Sequence, residues 1–203
     1  MTTKLLRQQR GVASVEFPFV VVGIMVIAFG LVSIYRLIYT QARLDSTAFM
    51  LADVVARTFD DKLVIASLAD GKSLKESVNQ QLSAKDLLTI AQRMLPSGLD
   101  DDNVSLVIDV RLQDPVTGLI RDPVQLVQGA NCPAASSINA LSELAPKSQR
   151  EEKSLKGRTA TLIQATLCVE QPFSRDSQFE LSGLVLPARL SSSAVMIGGR
   201  YAL

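Results

Sequence analysis

The sequence predicts an α+β protein in which a long N-terminal helix precedes a small head with an antiparallel sheet. An apolar run near the N-terminus is long enough to cross a membrane as a helix. Beyond residue 71, short helical patterns give way to segments with the period of two that is typical of half-buried strands. We therefore predict four parts: a basic leader at 1–11, a membrane helix at 12–35, its amphipathic continuation at 36–70, and the head at 71–203.

The apolar run contains a single charged residue, which is unusual inside a membrane helix. From Val12 to Tyr35 the only charged residue is Glu16. As a helix, this run would span about 36 Å at 1.5 Å per residue, and a bilayer core is about 30 Å thick. A carboxylate inside such a run is costly in lipid, which marks Glu16 as a candidate functional residue. The plainer alternative is a Glu that lies near the membrane surface at little cost.

Two ordinary membrane signals explain this region less well. A cleaved secretory signal has an apolar core of about 7–15 residues and a small-residue cleavage site, and no such site follows Tyr35. An ordinary signal anchor explains the length and the basic leader, but not the Gly11–Val12 junction with a carboxylate nearby. Three basic residues in the first ten predict a cytoplasmic N-terminus and an exported head.

The junction carries a specific resemblance. A basic leader, a Gly, four residues, a Glu and an apolar helix, here Gly11-Val-Ala-Ser-Val-Glu16, resemble the class III signal of type IV pilins and their minor relatives. The Phe17 that follows, the segment LDSTAFMLADVVARTFD at 44–60 and the ending ARLSSSAVMIGGRY resemble TadE/TadF-like minor pseudopilins of the tight-adherence (Flp) pilus system, closest to the TadF branch. Pro18 departs from the pattern, because a Pro there could bend the first turns.

The resemblance implies a structural role rather than an enzymatic one. A prepilin peptidase would cleave after Gly11 and leave Val12 as the first residue of a pilin-like lollipop, anchored in the bacterial inner membrane by a single pass. The new amino group could then pair with Glu16 of its own or a neighbouring chain, because an unpaired charge in lipid is costly. Glu16 and Phe17 would act in assembly.

Implied partners are the peptidase, other pilins and pseudopilins, and the inner-membrane assembly platform. The implied functions are pilus biogenesis and surface adhesion.

Composition limits the alternatives. The formal net charge is +1, and removal of the leader with its three basic residues leaves about −2, which is not a nucleic-acid-binding balance. The chain has no His, which excludes Ser-His-Asp and Cys-His catalysis and His-ligated metals. The segment 100–103, Asp-Asp-Asp-Asn, is a candidate cation loop, although it lacks the Gly and the distal Glu of an EF-hand. Ser191–Ser193 has no histidine base, and a Ser-Lys pair stays open but nothing in the sequence marks one. We expect no enzyme activity, cofactor or metal. A single-pass anchored periplasmic binding or enzymatic domain unrelated to pili stays open as the alternative.

The amphipathic pattern predicts a helix that continues past the membrane to about Asp60. Apolar residues recur at intervals of three, four or seven, and we predict that this stripe is core: Leu37, Leu44, Ala48, Leu51, Val55 and Phe59. Pro18, Gly23 and Gly30 are its expected flexible points. A break is expected at 69–72, and two further helices should begin at the capping signatures of Ser73 and Ser83.

The strand predictions follow from the change of period. Val104–Leu112 alternates as a half-buried strand, a turn follows at 114–118, and 119–127 is a candidate returning strand. A short helical patch is expected at 138–144. The segments 159–170 and 188–197 are the other predicted strands, in a sheet of three to five.

The two cysteines, Cys132 and Cys168, fall in the predicted exported head. An oxidising compartment favours a bond between them, which would close a loop of about 37 residues and contribute roughly 4 kcal/mol. Two buried free thiols are the alternative, because Cys is often a core residue. A redox-active pair is disfavoured by the absence of C-x-x-C spacing.

Overall fold

The computed structural model describes residues 12–96, 99, 101–113, 121–130, 132–147, 159–172 and 187–198. The leader, the predicted turn at 114–118, the charged segment 148–158 and the segment 173–186 lie outside the described residues. The described chain has the predicted α+β class, with a long N-terminal helix and a four-stranded antiparallel sheet. Its elements are α1 (Val12–Thr58), α2 (Asp61–Ala69), α3 (Leu74–Gln81), α4 (Ala84–Met94), β1 (Val104–Arg111), β2 (Val124–Gln128), β3 (Thr161–Glu170) and β4 (Arg189–Gly198).

The chain divides into two compact units, and α1 contributes to both. The described part of the first unit is 12–39, and the second unit, which we call the head, contains the described residues of Thr40–Pro172 and from Pro187 onward. α1 continues without a break through Pro18, Gly23 and Gly30. The second unit thus includes the residues of α1 from Thr40 onward.

In the part of α1 that belongs to the head, the predicted apolar stripe lies in the core. Leu44, Ala48, Leu51, Val55 and Phe59 are all at most 1% exposed, whereas Leu37, which belongs to the first unit, is only half-buried. The core interpretation of the stripe is confirmed for the part that lies in the head.

The long helix ends close to the predicted position of about Asp60, and a second helix, α2, forms the rest of the segment 36–70. α1 ends at Thr58, and Asp60 adopts an extended conformation from which its carboxylate caps α2 by accepting from the Lys62 amide at 2.9 Å. The side chain of Gln81, at the end of α3, bonds both backbone groups of Asp60, each at 3.0 Å. A residue 21 positions away thus helps to hold the chain at the break.

The two predicted capping signatures both form. The hydroxyl of Ser73 accepts from the Glu76 amide at 3.2 Å, and that of Ser83 accepts from the Asp86 amide at 3.3 Å. These bonds satisfy amides that a helix start otherwise leaves without a partner. The break between α2 and α3 falls where predicted, at Gly71, which has a positive φ of 84°.

The sheet has the order β2-β1-β3-β4, and every pair is antiparallel. β2 pairs with β1 but begins only at Val124, later than the start of the candidate return at 119–127. The predicted strands at 159–170 and 188–197 are present with small shifts of their ends, as β3 and β4. The short helical patch is a 3₁₀ helix at Ala140–Leu144.

Both faces of the central strands are covered, so the prediction that β1 is half-buried is wrong. On one face Thr161, at the start of β3, donates a hydrogen bond to the Asp61 carboxylate at the start of α2, at 2.9 Å. Of the helices, α4 packs against β1 and β2, and α3 packs against β2. On the other face the Gln164 side chain donates to the Ser136 carbonyl at 2.9 Å, and Cys168 is joined to Cys132. The irregular segment 132–147 therefore covers this second face. Nine of the ten residues of β3 are buried as a result.

Candidate assembly site on the membrane helix

The first unit presents an apolar cylinder with a charge at each end. Between Glu16 and Arg36 the sequence has no other charged residue. Along a helix these two positions lie about 30 Å apart, which matches the thickness of a bilayer core. The described residues contain one helix that is long and apolar enough to cross a membrane, within Glu16–Thr58, and only 6% of its most apolar window is buried. This segment is therefore suited to a nonpolar environment supplied from outside the chain.

The polar groups inside this span are satisfied or placed near its end. The Ser33 hydroxyl donates to the Phe29 carbonyl at 2.9 Å, one helical turn back, so it costs little in lipid. Tyr35 and Tyr39 stack with their ring centroids 6.2 Å apart. Aromatic rings of this amphipathic kind are enriched where a membrane span meets water.

The other end of the span carries the candidate assembly residues. Glu16 is exposed, and Phe17 beside it is 71% exposed. The helix already exists at this point, because α1 begins at Val12, so the position of both side chains is set by a regular backbone. Gly11, the predicted processing residue, lies outside the described residues. The structure thus brings Glu16 and Phe17 together on one helical turn and leaves the cleavage junction undescribed.

The cysteine pair forms the second predicted site. Cys132 and Cys168 are joined by a disulfide and are 1% and 0% exposed. They pack with Val107 of β1 in one apolar cluster. The bond fastens the start of the irregular segment 132–147 to the central strand β3, which gives it a structural position and no access for a redox partner.

The other candidate chemistries gain no support from geometry. Asp100 lies outside the described residues, and within the described residues no group of three or more His, Cys, Asp or Glu side chains is placed to hold a metal ion. Ser193 shares a hydrogen bond of 3.0 Å with the Thr166 hydroxyl rather than with a base.

Sequence reasoning missed several buried polar groups of the head. The Asp61 carboxylate accepts a hydrogen bond from Thr161. Burial raises the pKa of Asp61 above the ordinary 3.8, the hydrogen bond from Thr161 lowers it in part, and the nearby charge of Asp60 raises it further. Burial also raises the pKa of Asp109, against a hydrogen bond from Gln125. The burial of these two carboxylates could not be predicted from their positions in the sequence, because an acid at the start of a helix or on the polar face of a strand is usually solvated. Covering segments from elsewhere in the chain buried them.

These features define a class of protein: one with an apolar N-terminal helix suited to cross a membrane, which continues into an α+β head. The family follows from the sequence comparison. Residues 4–199 match TadF, described as "Putative tight adherence pilin protein F", and the chain belongs to this family. No curated protein and no solved structure matches the chain. The family places the protein among structural components of the tight-adherence pilus, which work with other pilus components and the membrane.

Proposed function

We propose that this chain is a minor pseudopilin that is processed after Gly11 and then acts through Glu16 in assembly of the tight-adherence pilus. The observation that carries the proposal is the position of Glu16. It is an exposed carboxylate at one boundary of a helical span that contains no other charge until Arg36. The membership in a pilin family supports the same role and counts against an unrelated anchored binding or enzymatic domain.

Processing supplies the partner that Glu16 lacks in lipid. Cleavage between Gly11 and Val12 creates an α-amino group four residues before Glu16, on the same side of the membrane. A prepilin peptidase that cuts there must work at the cytoplasmic face, where the basic leader is held. Because isolated charges are costly in an apolar environment, pairing of amine and carboxylate between adjacent subunits would reward one register of the assembled helices. Phe17 would supply apolar contact beside the pair.

The proposal also assigns the chain its partners and place. It is inserted once in the bacterial inner membrane, with the N-terminus cytoplasmic and the head exported. Its partners are the prepilin peptidase, other pilins and pseudopilins, and the assembly platform. From there it supports pilus formation and, through the pilus, surface adhesion.

N-terminal sequencing of the mature protein tests the processing step. We expect the mature chain to begin at Val12, and Gly11→Val to leave an uncut precursor in the membrane. A mature protein that begins at Met1 or beyond Tyr35 would overturn the pseudopilin assignment.

A second experiment separates processing from assembly. Glu16→Gln should still be inserted and cut, because the carboxylate acts only after cleavage, yet piliation should fall severely. Asp53→Asn is the matched control, since Asp53 is also on α1 but lies in the head, where it pairs with Arg57 at 2.8 Å. Wild-type piliation with Glu16→Gln would contradict the pairing of amine and carboxylate.

A further inference from the structure

We propose that the end of the head sheet carries a binding site for a single carboxylate group on a short apolar stem. The proposal goes beyond the pilus role and does not depend on it. The site is a pocket of about 190 Å³ between the last residues of β1 and the residues that lead into β3. One side of it is formed by the end of the irregular segment that covers the sheet, including Ser142 and Lys147.

The first argument is an arginine nitrogen without an acceptor. Arg111 ends β1 and lines the pocket, and within the described part of the chain its buried Nε has no hydrogen-bond partner. A buried N–H without an acceptor is unfavourable unless something supplies one. A guanidinium stays charged at all ordinary pH values, and its planar fork matches the two oxygens of a carboxylate. A carboxylate ligand would supply the acceptor that this N–H needs.

The second argument is the charge of the lining. Among the described residues, the ionisable side chains on the pocket wall besides Arg111 are Lys147 and Glu143. Together these three residues carry a formal charge of about +1 at neutral pH, by their ordinary pKa values. One negative charge on a ligand balances this lining, whereas a doubly charged phosphate would face Glu143 with an excess. The lining thus favours a monoanion.

The third argument is the floor of the pocket. Leu112, Ala145, Ala160 and Leu162 line it, and each is at most 6% exposed. An apolar floor excludes water, which strengthens a charge-assisted hydrogen bond and accommodates a short hydrocarbon stem. Pockets for drug-sized molecules measure about 300–1,000 Å³, so this smaller volume fits a group of side-chain size.

The walls are held in place without a ligand. The backbones of Lys147 and Thr159 form an isolated β-bridge, and the Ala160 amide donates to the Pro146 carbonyl at 3.0 Å. Gln113 accepts two bonds from Thr159, from its amide at 2.6 Å and its hydroxyl at 3.0 Å. The backbone on this side of the pocket therefore needs little ordering when a ligand binds, which favours affinity.

Nuclear magnetic resonance of the full-length protein in detergent micelles tests the proposal. Arginine is labelled with ¹⁵N, and the Arg111 Nε–H signal is followed as butyrate, inorganic phosphate or neutral butanol is added. We expect a saturable shift with butyrate, a much weaker response to phosphate and none to butanol. Arg111→Gln should weaken butyrate binding at least tenfold, as read from other pocket signals, and Lys147→Gln should weaken it several-fold.

Three further variants sharpen the result. Lys147→Gln changes an exposed side chain, so it keeps the test valid if Arg111→Gln disturbs the fold. Glu143→Gln should raise the affinity for phosphate relative to butyrate, because it removes the negative charge from the wall. Arg57→Gln is the matched control, since Arg57 is on α1 and pairs with Asp53, and it should leave binding unchanged.

The affinity distinguishes the source of the carboxylate. Saturation below about 1 mM indicates a free acid as the natural ligand. Carboxylate-selective saturation only above that range indicates an acidic group on a neighbouring chain, because tethering supplies effective concentrations in the millimolar range. The absence of a saturable shift, an equal response to butanol, or phosphate binding as tight as butyrate binding would overturn the proposal.

Discussion

The two units of this protein use the same kinds of side chain in opposite ways. In the first unit Phe19 is 74% exposed and Phe29 is 57% exposed, whereas Phe59 in the head is 1% exposed. The first unit has no described core of its own, and the head packs helices and an irregular segment against the two faces of a sheet. The difference teaches that one continuous helix, α1, has two different surroundings. The apolar side chains of its first part need to be covered by lipid or partner chains, and those of its second part are covered by the rest of the head.

The glycines show the same contrast. An added methyl group at Gly23 or Gly30 would meet nothing within 4 Å. At Gly129 it would lie 2.9 Å from the Ser105 Cβ, in a backbone conformation with a φ of 91°. At Gly198 it would collide with the Ile163 side chain. The head is therefore closely packed where the first unit is open.

The largest expected effect is that of removing a core phenylalanine. Phe59→Ala should lower the free energy of unfolding of the head by about 3–5 kcal/mol, because it leaves a cavity in addition to the lost burial. Phe19→Ala, in the first unit, should leave the stability of the head unchanged. Urea titration of the full-length protein in micelles, followed by circular dichroism and protease resistance, measures both. If the two substitutions lowered the stability of the head equally, the proposed difference between the two units would be wrong.

The disulfide should matter almost as much, and only to the head. Replacing both Cys132 and Cys168 by Ala should lower the stability of the head by about 2–4 kcal/mol and loosen the segment 132–147. Insertion of α1 into the membrane should be unaffected. Mass spectrometry of the exported wild-type protein under non-reducing conditions provides the check on the bond itself. Two cysteines that both alkylate without prior reduction would show that the pair is not oxidised in the cell.

A smaller loss is expected at Gly129. Gly129→Ala should destabilise the head by about 1–3 kcal/mol, because alanine is strained at a positive φ and its Cβ would press on Ser105. Gly23→Ala is the matched substitution in open space and should leave the stability of the head unchanged. Thermal unfolding of the two variants beside the wild type tests this. If Gly129→Ala unfolds at the wild-type temperature, the close packing inferred for this turn is wrong.

The smallest effect concerns the pH dependence of stability. Asp61 has its pKa raised in the folded state by burial, so the folded protein binds this proton more tightly than the unfolded chain does. Ionised Asp61 therefore destabilises the head, and this contribution disappears as the pH falls through the folded pKa towards 3.8. We expect Asp61→Asn to be more favourable, relative to wild type, at pH 7 than at pH 4.

Denaturant titrations at several pH values measure this difference. The exposed Asp86→Asn serves as the control, and Asp109, whose pKa is also raised by burial, is left intact so that its contribution cancels. A stability difference between Asp61→Asn and wild type that is constant from pH 4 to 7 would show that Asp61 is not desolvated as the structure indicates.

The sequence predicted well wherever a local signal was enough. The stripe from Leu44 to Phe59, the caps at Ser73 and Ser83 and the two later strands depend on the order of neighbouring residues, and they formed as expected. The processing motif around Gly11 and the assembly role of Glu16 stay predictions. The end of the long helix near Asp60 was predicted, but the contacts of Gln81 that hold Asp60 and the cover over β1 could not be, because they depend on residues distant along the chain.

The sequence by itself determined the apolar span, its flanking charges and the family of the protein. Periodicity and length set these features, because a membrane helix satisfies its backbone hydrogen bonds within one continuous segment. Only the tertiary structure decided which polar residues of the head are buried. The Nε atom of Arg111, the Oε1 atom of Gln164 and the Oδ1 atom of Asp61 are buried because other segments cover them, and burial is a property of the whole fold. The pocket beside Arg111 exists for the same reason.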